Sequence, residues 1–311
     1  MNFYSHPRFQ DHSMGAGHPE RPERLLAIER ALQRQSLWPA LNHQSAEPVD
    51  ERLLRLAHTE SLLQRLASPV LEGEYEYIDP DTCTNADTYE AIVLASGAVV
   101  QAIDAVMTGQ SRHAFCAVRP PGHHAERASA MGFCFVNHIA VGALYARKKF
   151  GLHRIAVIDF DVHHGNGTED ILAHEEGVLM VSSFQQGIYP GSGTRPKGPN
   201  MVNVPLPTGA GTREIRTMLD EIWIPTLEAF RPQLMLVSAG FDAHHDDPLA
   251  GLAWTEEDYG HITDTLVAVA DTFCPGRIVS SLEGGYNLDA LGRCVAAHIS
   301  SLLAPRPQSP I

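Results

Sequence analysis

Apolar and polar positions along this chain fall into two rhythms. Short runs rich in branched and aromatic residues stand at 115–118, 154–160, 178–184, 233–238 and 277–282. Runs of that length, bounded by polar, Gly or Pro positions, read as buried strands. Between and around them lie longer amphipathic or alanine-rich stretches at 86–107, 136–149, 212–230, 256–272 and 288–303, which fit helices. Strands alternating with helices predict an α/β fold, a parallel sheet with helices on both faces. No internal repeat, low-complexity linker or composition break appears. Residues 1–311 therefore read as a single domain, with only the Pro- and Ser-rich tail at 305–311 expected to fray.

The unusual residues follow the strands. After the first comes Arg119-Pro120-Pro121-Gly122-His123-His124-Ala125-Glu126, and after the second Asp161-Val162-His163-His164-Gly165-Asn166-Gly167. The 233–238 strand leads into Ala239-Gly240-Phe241-Asp242-Ala243-His244-His245-Asp246-Asp247-Pro248-Leu249, and the last strand into Glu283-Gly284-Gly285-Tyr286-Asn287. Ligands of parallel sheets bind beyond the carboxyl ends of the strands, so these four loops should converge on one site.

Their chemistry is that of a metal-assisted hydrolase. Asp161 and His163 are two apart, so on extended backbone they point the same way and form half of a zinc site. Hydrolytic zinc takes three protein ligands and keeps one position for water. One carboxylate of the Asp246–Asp247 pair would complete the set. Asp247 is preferred, because Pro248 restricts its backbone to extended conformations. The tandem His123–His124 next to a metal-bound water fits general acid, general base and electrostatic roles. Each imidazole needs an orienting acceptor, and Asp159 and Asn166 are available. A carboxylate partner would hold one ring charged, and an amide partner would leave the other near neutral. The Tyr286 phenol, after two glycines, is placed to donate to an oxyanion. Taken singly, each feature has a plainer reading: a polar strand end, a solvated loop carboxylate, a helix-capping tyrosine. Four loops carrying them together reverse that weighting.

Composition narrows the partners. Net charge is −14 with no basic block, which argues against nucleic acid. The acidity reads as a solubility feature. The five cysteines, Cys83, Cys116, Cys134, Cys274 and Cys294, are widely spaced and form no CxxC pair, as expected of reduced thiols in the cytosol. The N-terminus lacks the pattern of a signal peptide. No apolar run approaches the roughly 20 residues of a membrane span. The expectation is a soluble cytoplasmic protein without a membrane partner.

Pro121-Gly122-His123-His124, Asp159-Phe160-Asp161-Val162-His163-His164-Gly165-Asn166-Gly167-Thr168, Asp247-Pro248-Leu249 and Glu283-Gly284-Gly285-Tyr286-Asn287-Leu288 resemble the zinc-dependent histone deacetylase superfamily. The likeness runs from about Phe3 to about Leu303. Arg119-Pro120-Pro121-Gly122-His123-His124-Ala125-Glu126, Gly132-Phe133-Cys134-Phe135 and His18-Pro19-Glu20-Arg21-Pro22-Glu23-Arg24 are similar to class II enzymes and the bacterial histone deacetylase-like amidohydrolases. Asn166 stands where class I members have Asp.

The resemblance implies the arginase/deacetylase fold, with a central eight-stranded parallel sheet. It implies one Zn2+ per chain on Asp161, His163 and Asp247, and hydrolysis of an N-acyl amide, typically N-acetyl-lysine of a protein or peptide. It pairs His123 with Asp159 and His124 with Asn166, assigns His124 as base and acid, and gives Tyr286 the substrate carbonyl. Phe133, with Gly132 before it, and Tyr189 match the aromatic tunnel walls, and Tyr189 replaces the usual Phe. Arg24 matches an arginine lining an internal channel below the zinc. A K+ site is implied at the carbonyls of Asp159, Asp161 and His163 with the Ser182 hydroxyl. Asp79 or Asp81 is a candidate for the rim.

Two other chemistries share this scaffold. Binuclear manganese hydrolysis needs a further carboxylate where Gly165 stands, and glycine offers no ligand. Acetylpolyamine or other small-amine deacetylation uses the same zinc machinery, often with an entrance insertion for which 311 residues leave little room. A non-enzymatic acyl-lysine reader would be expected to lose a ligand or the tyrosine, and all are present.

Overall fold

The structure, a computed structural model, describes residues 1–304, so the expectation for the 305–311 tail lies outside the described residues. The strands are β1 (Asn2–Ser5), β2 (Asn42–Ser45), β3 (Glu76–Asp79), β4 (Thr82–Thr84), β5 (His113–Cys116), β6 (Ile155–Asp159), β7 (Val178–Gln185), β8 (Met201–Leu206), β9 (Leu234–Ala239) and β10 (Ile278–Leu282). The helices are α1 (Glu23–Arg34), α2 (Glu51–Leu54), α3 (Glu60–Leu66), α4 (Thr88–Met107), α5 (His138–Phe150), α6 (Asn166–Leu172), α7 (Thr212–Met218), α8 (Ile224–Phe230), α9 (Glu256–Phe273) and α10 (Leu288–Leu303).

Eight strands form one parallel sheet in the order β2-β1-β5-β10-β9-β6-β7-β8, and β3 and β4 form a separate antiparallel hairpin. The five strands predicted from apolar runs are adjacent in this order and buried along their whole length. The three other strands of this sheet, which the sequence reading missed along with the β3–β4 hairpin, lie toward the edges. β1 is short, β2 is Asn-His-Gln-Ser, and β8 carries Pro205. Polar residues and proline suit sheet edges, where one side of the strand has no partner to satisfy.

Register sets up the site. Ser281 lies opposite both Cys116 and Ser238, and Ser238 lies opposite Asp159. The carboxyl ends of β5, β10, β9 and β6 are therefore level, and the four chemistry-bearing loops begin just past one row. Two helical layers cover the sheet, α4 with α5 and α1 with α10 and α9. Helix α4 corrects the sequence reading of membrane spans. It is long and apolar enough to cross a bilayer by length and composition, but most of it is buried against β1, β5 and β10. The predicted helix at 212–230 is a single rod with a π-helical turn at Leu219–Trp223 between α7 and α8. Pro225, in the first turn of α8, has no N–H for the carbonyl one α-turn earlier, and the rod widens there. All five cysteines are free and buried, in keeping with the reduced-thiol expectation.

Candidate active site

The tandem-histidine loop is clamped at its backbone. Glu283, directly after β10, accepts from the Gly122 amide at 2.6 Å and the His123 amide at 3.1 Å through Oε2. The first amides of α6, Gly167 and Thr168, donate to the His123 carbonyl at 3.0 and 3.1 Å. Helix N-termini carry such unpaired amides, and here they fix the tandem-histidine loop. Burial pushes Glu283 up to about 7.

The two imidazoles have the partners expected. His123 Nδ1 donates to Asp159 Oδ2 at 3.0 Å. Burial opposes its charge, but the carboxylates of Asp161 and Asp159 outweigh burial and hold His123 well above its ordinary value. His124 Nδ1 lies 2.7 Å from Asn166 Oδ1, and Asn166 Nδ2 donates to Glu126 Oε1 at 2.9 Å. That second bond orients the amide, so its oxygen accepts from His124 and leaves Nε2 as the basic nitrogen. Burial, with His123 and His163 nearby, pushes His124 well below its ordinary value.

The metal-ligand set is where the structure departs from the sequence reading. Asp161, His163 and Asp242, all buried, bring ligand atoms within 4.8 Å of one another. His163 Nδ1 is 3.1 Å from Asp161 Oδ1 and 3.2 Å from Asp242 Oδ2. Asp247 does not belong to this group. Its Oδ2 accepts from the amides of Tyr286 at 2.7 Å and Asn287 at 3.2 Å, and its Oδ1 from that of Leu249 at 3.0 Å. Pro248 does restrict the chain, but it stands far along the loop. Asp242 is three residues past the end of β9, and Asp247 is eight. Asp246 is exposed and paired with Arg293.

The donor set fits a divalent cation. Asp242 Oδ2 is buried and accepts no hydrogen bond among the described residues, with His163 Nδ1 at 3.2 Å. The remaining oxygens are oriented by amides: Val162 donates to Asp242 Oδ1 at 2.9 Å, and Gly284 to Asp161 Oδ2 at 2.9 Å. A Cβ on Gly240 would lie 2.0 Å from Asp161 Oδ2, and one on Gly284 2.0 Å from Asp242 Oδ2, so glycine at both positions lets the carboxylates approach. Without a cation, burial disfavours charge on His163, yet Asp161 and Asp242 raise it to about 10. Two carboxylates and one neutral imidazole would hold a divalent metal there.

A cavity of about 210 Å³ opens above these groups, lined by Asp81, His124, Gly132, Phe133, His163, Tyr189, Leu249 and Tyr286. Tyr189 meets His124 edge-on at 5.1 Å, and Phe133 meets Tyr286 edge-on at 5.8 Å. Phe133, Gly132 and Tyr189 line this cavity, where the resemblance put the tunnel walls, and Tyr286 lines it as well. Arg24 is not. It lies fully buried behind Tyr286, 5.1 Å from the ring centroid, and donates to the carbonyls of Gly285 and Glu283 and to Glu20. Of the two rim candidates, Asp81 reaches the cavity and Asp79 does not line it. Tyr286 does not cap α10. Asn287 does, accepting from the amides of Asp289 and Ala290. Ser182 lies opposite Asp159 on β7 and is buried.

The roles of Asp242 and Glu283 were missed. The signal for Asp242 was its closeness to the end of a buried strand, the same signal that located Asp161.

Acid and base groups held apart in charge at one edge of a parallel sheet, with a narrow cavity above them, define a hydrolase site. The model of the histone deacetylase domain matches residues 18–302, and the chain belongs to that family. It is 37% identical over 300 residues to the histone deacetylase-like amidohydrolase of Pseudomonas aeruginosa, covering 94% of this chain and 78% of that one. It is 41% identical over 245 residues to type-2 histone deacetylase 2 of Dictyostelium discoideum, which covers 72% of this chain but only 14% of that larger protein. The crystal structure of the HDA15 HD domain matches with a TM-score of 0.89 at 32% identity, over 97% of this chain and 87% of that one. The eight-stranded parallel sheet is that of the arginase/deacetylase fold, as the sequence resemblance implies.

Proposed function

We propose that the protein hydrolyses the acetyl amide of N-acetyl-lysine in proteins or peptides, with one zinc ion held by Asp161, His163 and Asp242. The observation that carries this reading is the cavity itself: aromatic walls lead to His124, His163 and Tyr286. Zinc bound at the trio supplies Lewis acidity toward the acyl oxygen and lowers the pKa of a water. His124, kept neutral, takes a proton from the attacking water through Nε2 and returns it to the leaving amine. His123, held charged by Asp159, stabilises negative charge developing next to it. The Tyr286 hydroxyl donates to the acyl oxygen, and Phe133 and Tyr189 hold the alkyl chain and exclude water. Gly165 offers no side chain for a second metal. A potassium ion on the carbonyls of Asp159, Asp161 and His163 and the Ser182 hydroxyl belongs to the same proposal, supported by the pairing of Ser182 with Asp159.

Acetylpolyamine hydrolysis is the second reading, and Asp81 is the observation in its favour. Its carboxylate lines the cavity, where a cationic chain would meet it. Turnover of an acetyl-lysine peptide and of acetylspermidine, with zinc quantified in the same preparation, separates the two. A larger kcat/KM on the peptide at one zinc per chain is the expected result. Preference for acetylspermidine moves the function to polyamines, and zinc-loaded protein inert toward both overturns the deacetylase reading.

A further inference from the structure

Asp247 is outside the metal-ligand group, yet its carboxylate is fully committed. It is 6% exposed and accepts three backbone amides, those of Tyr286, Asn287 and Leu249. Two of these belong to residues that line the cavity, Tyr286 near the reacting groups and Leu249, which is 38% exposed. A second tie runs beside the first: Asn287 Nδ2 donates to the Asp246 carbonyl at 3.1 Å. The loop after β9 and the loop after β10 are thus joined through one side chain and its neighbour.

The chain before Tyr286 supplies little stiffness of its own. Gly284 and Gly285 precede it, and Gly285 has φ +119°, a conformation open to glycine and strained for other residues. The peptide joining Gly285 to Tyr286 is therefore placed by what holds it from outside: Arg24 Nε donates to its carbonyl at 2.8 Å, and Asp247 accepts from its amide. A buried charged acceptor at 2.7 Å is a strong hold, about twice that of a neutral pair.

We infer that Asp247 is a positioning residue: its carboxylate fixes Tyr286 relative to Leu249, and so sets where the acyl oxygen meets its donor within the tunnel. The inference rests on the reading that Tyr286 donates to that oxygen. Displacing a reacting group by about 1 Å costs on the order of 10²-fold in rate, which sets the scale of the expected effect.

The test is a double-mutant cycle. Asp247→Ala and Asp247→Asn are made in the wild-type and Tyr286→Phe backgrounds, and zinc per chain, kcat and KM on an acetyl-lysine peptide, and Tm are measured. Asp247→Ala should keep zinc at one per chain and lower kcat by about 10²-fold, with KM little changed. Asp247→Asn, which retains one acceptor oxygen for Tyr286, should recover much of that loss. In the Tyr286→Phe background both substitutions should have almost no further effect on kcat, because the group they position is gone. Loss of zinc in Asp247→Ala would make the residue a ligand after all and overturn the inference. An equal loss of kcat in both backgrounds would overturn it too, since Asp247 would then act independently of the phenol. If Asp247→Ala does not fold, Asp247→Ser, too short to reach the Tyr286 amide, carries the same cycle. A wild-type protein inert toward acyl amides removes the deacetylase reading and this inference with it, whereas an active wild type with an additive cycle removes this inference alone.

Discussion

His123 and His163 at the catalytic edge are buried, as are His58, His138 and His298 in the scaffold around it, but the two groups titrate in opposite directions. Burial lowers the basicity of all five. At the catalytic edge the carboxylates of Asp159, Asp161 and Asp242 outweigh it, and both imidazoles are raised. In the scaffold the partners are neutral. His58 faces the Glu126 carbonyl and the Asn137 amide, His138 the Ser96 hydroxyl and the Pro120 carbonyl, and His298 the hydroxyls of Thr263 and Ser280. Burial then prevails, and these three fall to about 4, 4 and 3. His124 shows the rule inside the site: with an amide for a partner and two imidazoles nearby, it is lowered like the scaffold residues. Among these six histidines the partner, more than the depth, decides the direction.

The largest way to break this contrast is to remove a carboxylate from the trio. Asp242→Ala should abolish zinc binding and turnover together, whereas zinc retained at one per chain would return the third ligand position to another residue. Next in size is His124→Ala, expected to lower kcat by about 10²–10⁴-fold. Near-normal turnover would move the base elsewhere. Tyr286→Phe should lower kcat by about 10²–10³-fold while zinc content is unchanged, and an unaltered kcat would remove the phenol from the reaction.

Two smaller effects sharpen the comparison. Asn166→Asp gives His124 a carboxylate partner like that of His123. Its basicity should rise, so the neutral base appears only at higher pH and the acidic limb of the kcat/KM profile moves up. A limb that stays in place would show that His124 is not the group it reports. The scaffold histidines predict acid sensitivity of the fold. Unfolded, each takes up a proton near pH 6.5, and folded it stays neutral to about pH 4 for His58 and His138 and about 3 for His298. Between those values the unfolded chain binds more protons, so stability falls as pH drops, by up to about 1.4 kcal/mol per pH unit for each. Tm measured from pH 7 to 4 should show this decline, and His298→Gln should reduce its slope.

Much of this was legible in the sequence where burial is complete. Strands β5, β6, β7, β9 and β10 announce themselves as apolar runs because both faces are covered, and their ends deliver Asp159, Asp161, His163, His123, His124 and Tyr286. The edge strand β2 did not, because Asn42–Ser45 has the composition of a loop. Asp242 was passed over for a different reason. Backbone restriction by Pro248 was given more weight than distance from the strand end, and restriction makes a position rigid without bringing it to the metal. Glu283 left no trace because its role is played toward backbone amides, which every residue carries.

The cavity has one further implication. Its floor, with the imidazoles and carboxylates, is rooted in the level ends of four central strands. Its mouth is made by Asp81 and Tyr189, outside the four loops that follow those strands, and by Phe133 and Leu249, farther along the segments after β5 and β9. For Asp81 and Tyr189, selectivity is therefore encoded apart from the stretches that carry the chemistry. An engineer, or natural drift, can redraw which acylated amine is admitted by exchanging a few rim side chains while the reaction below is inherited intact.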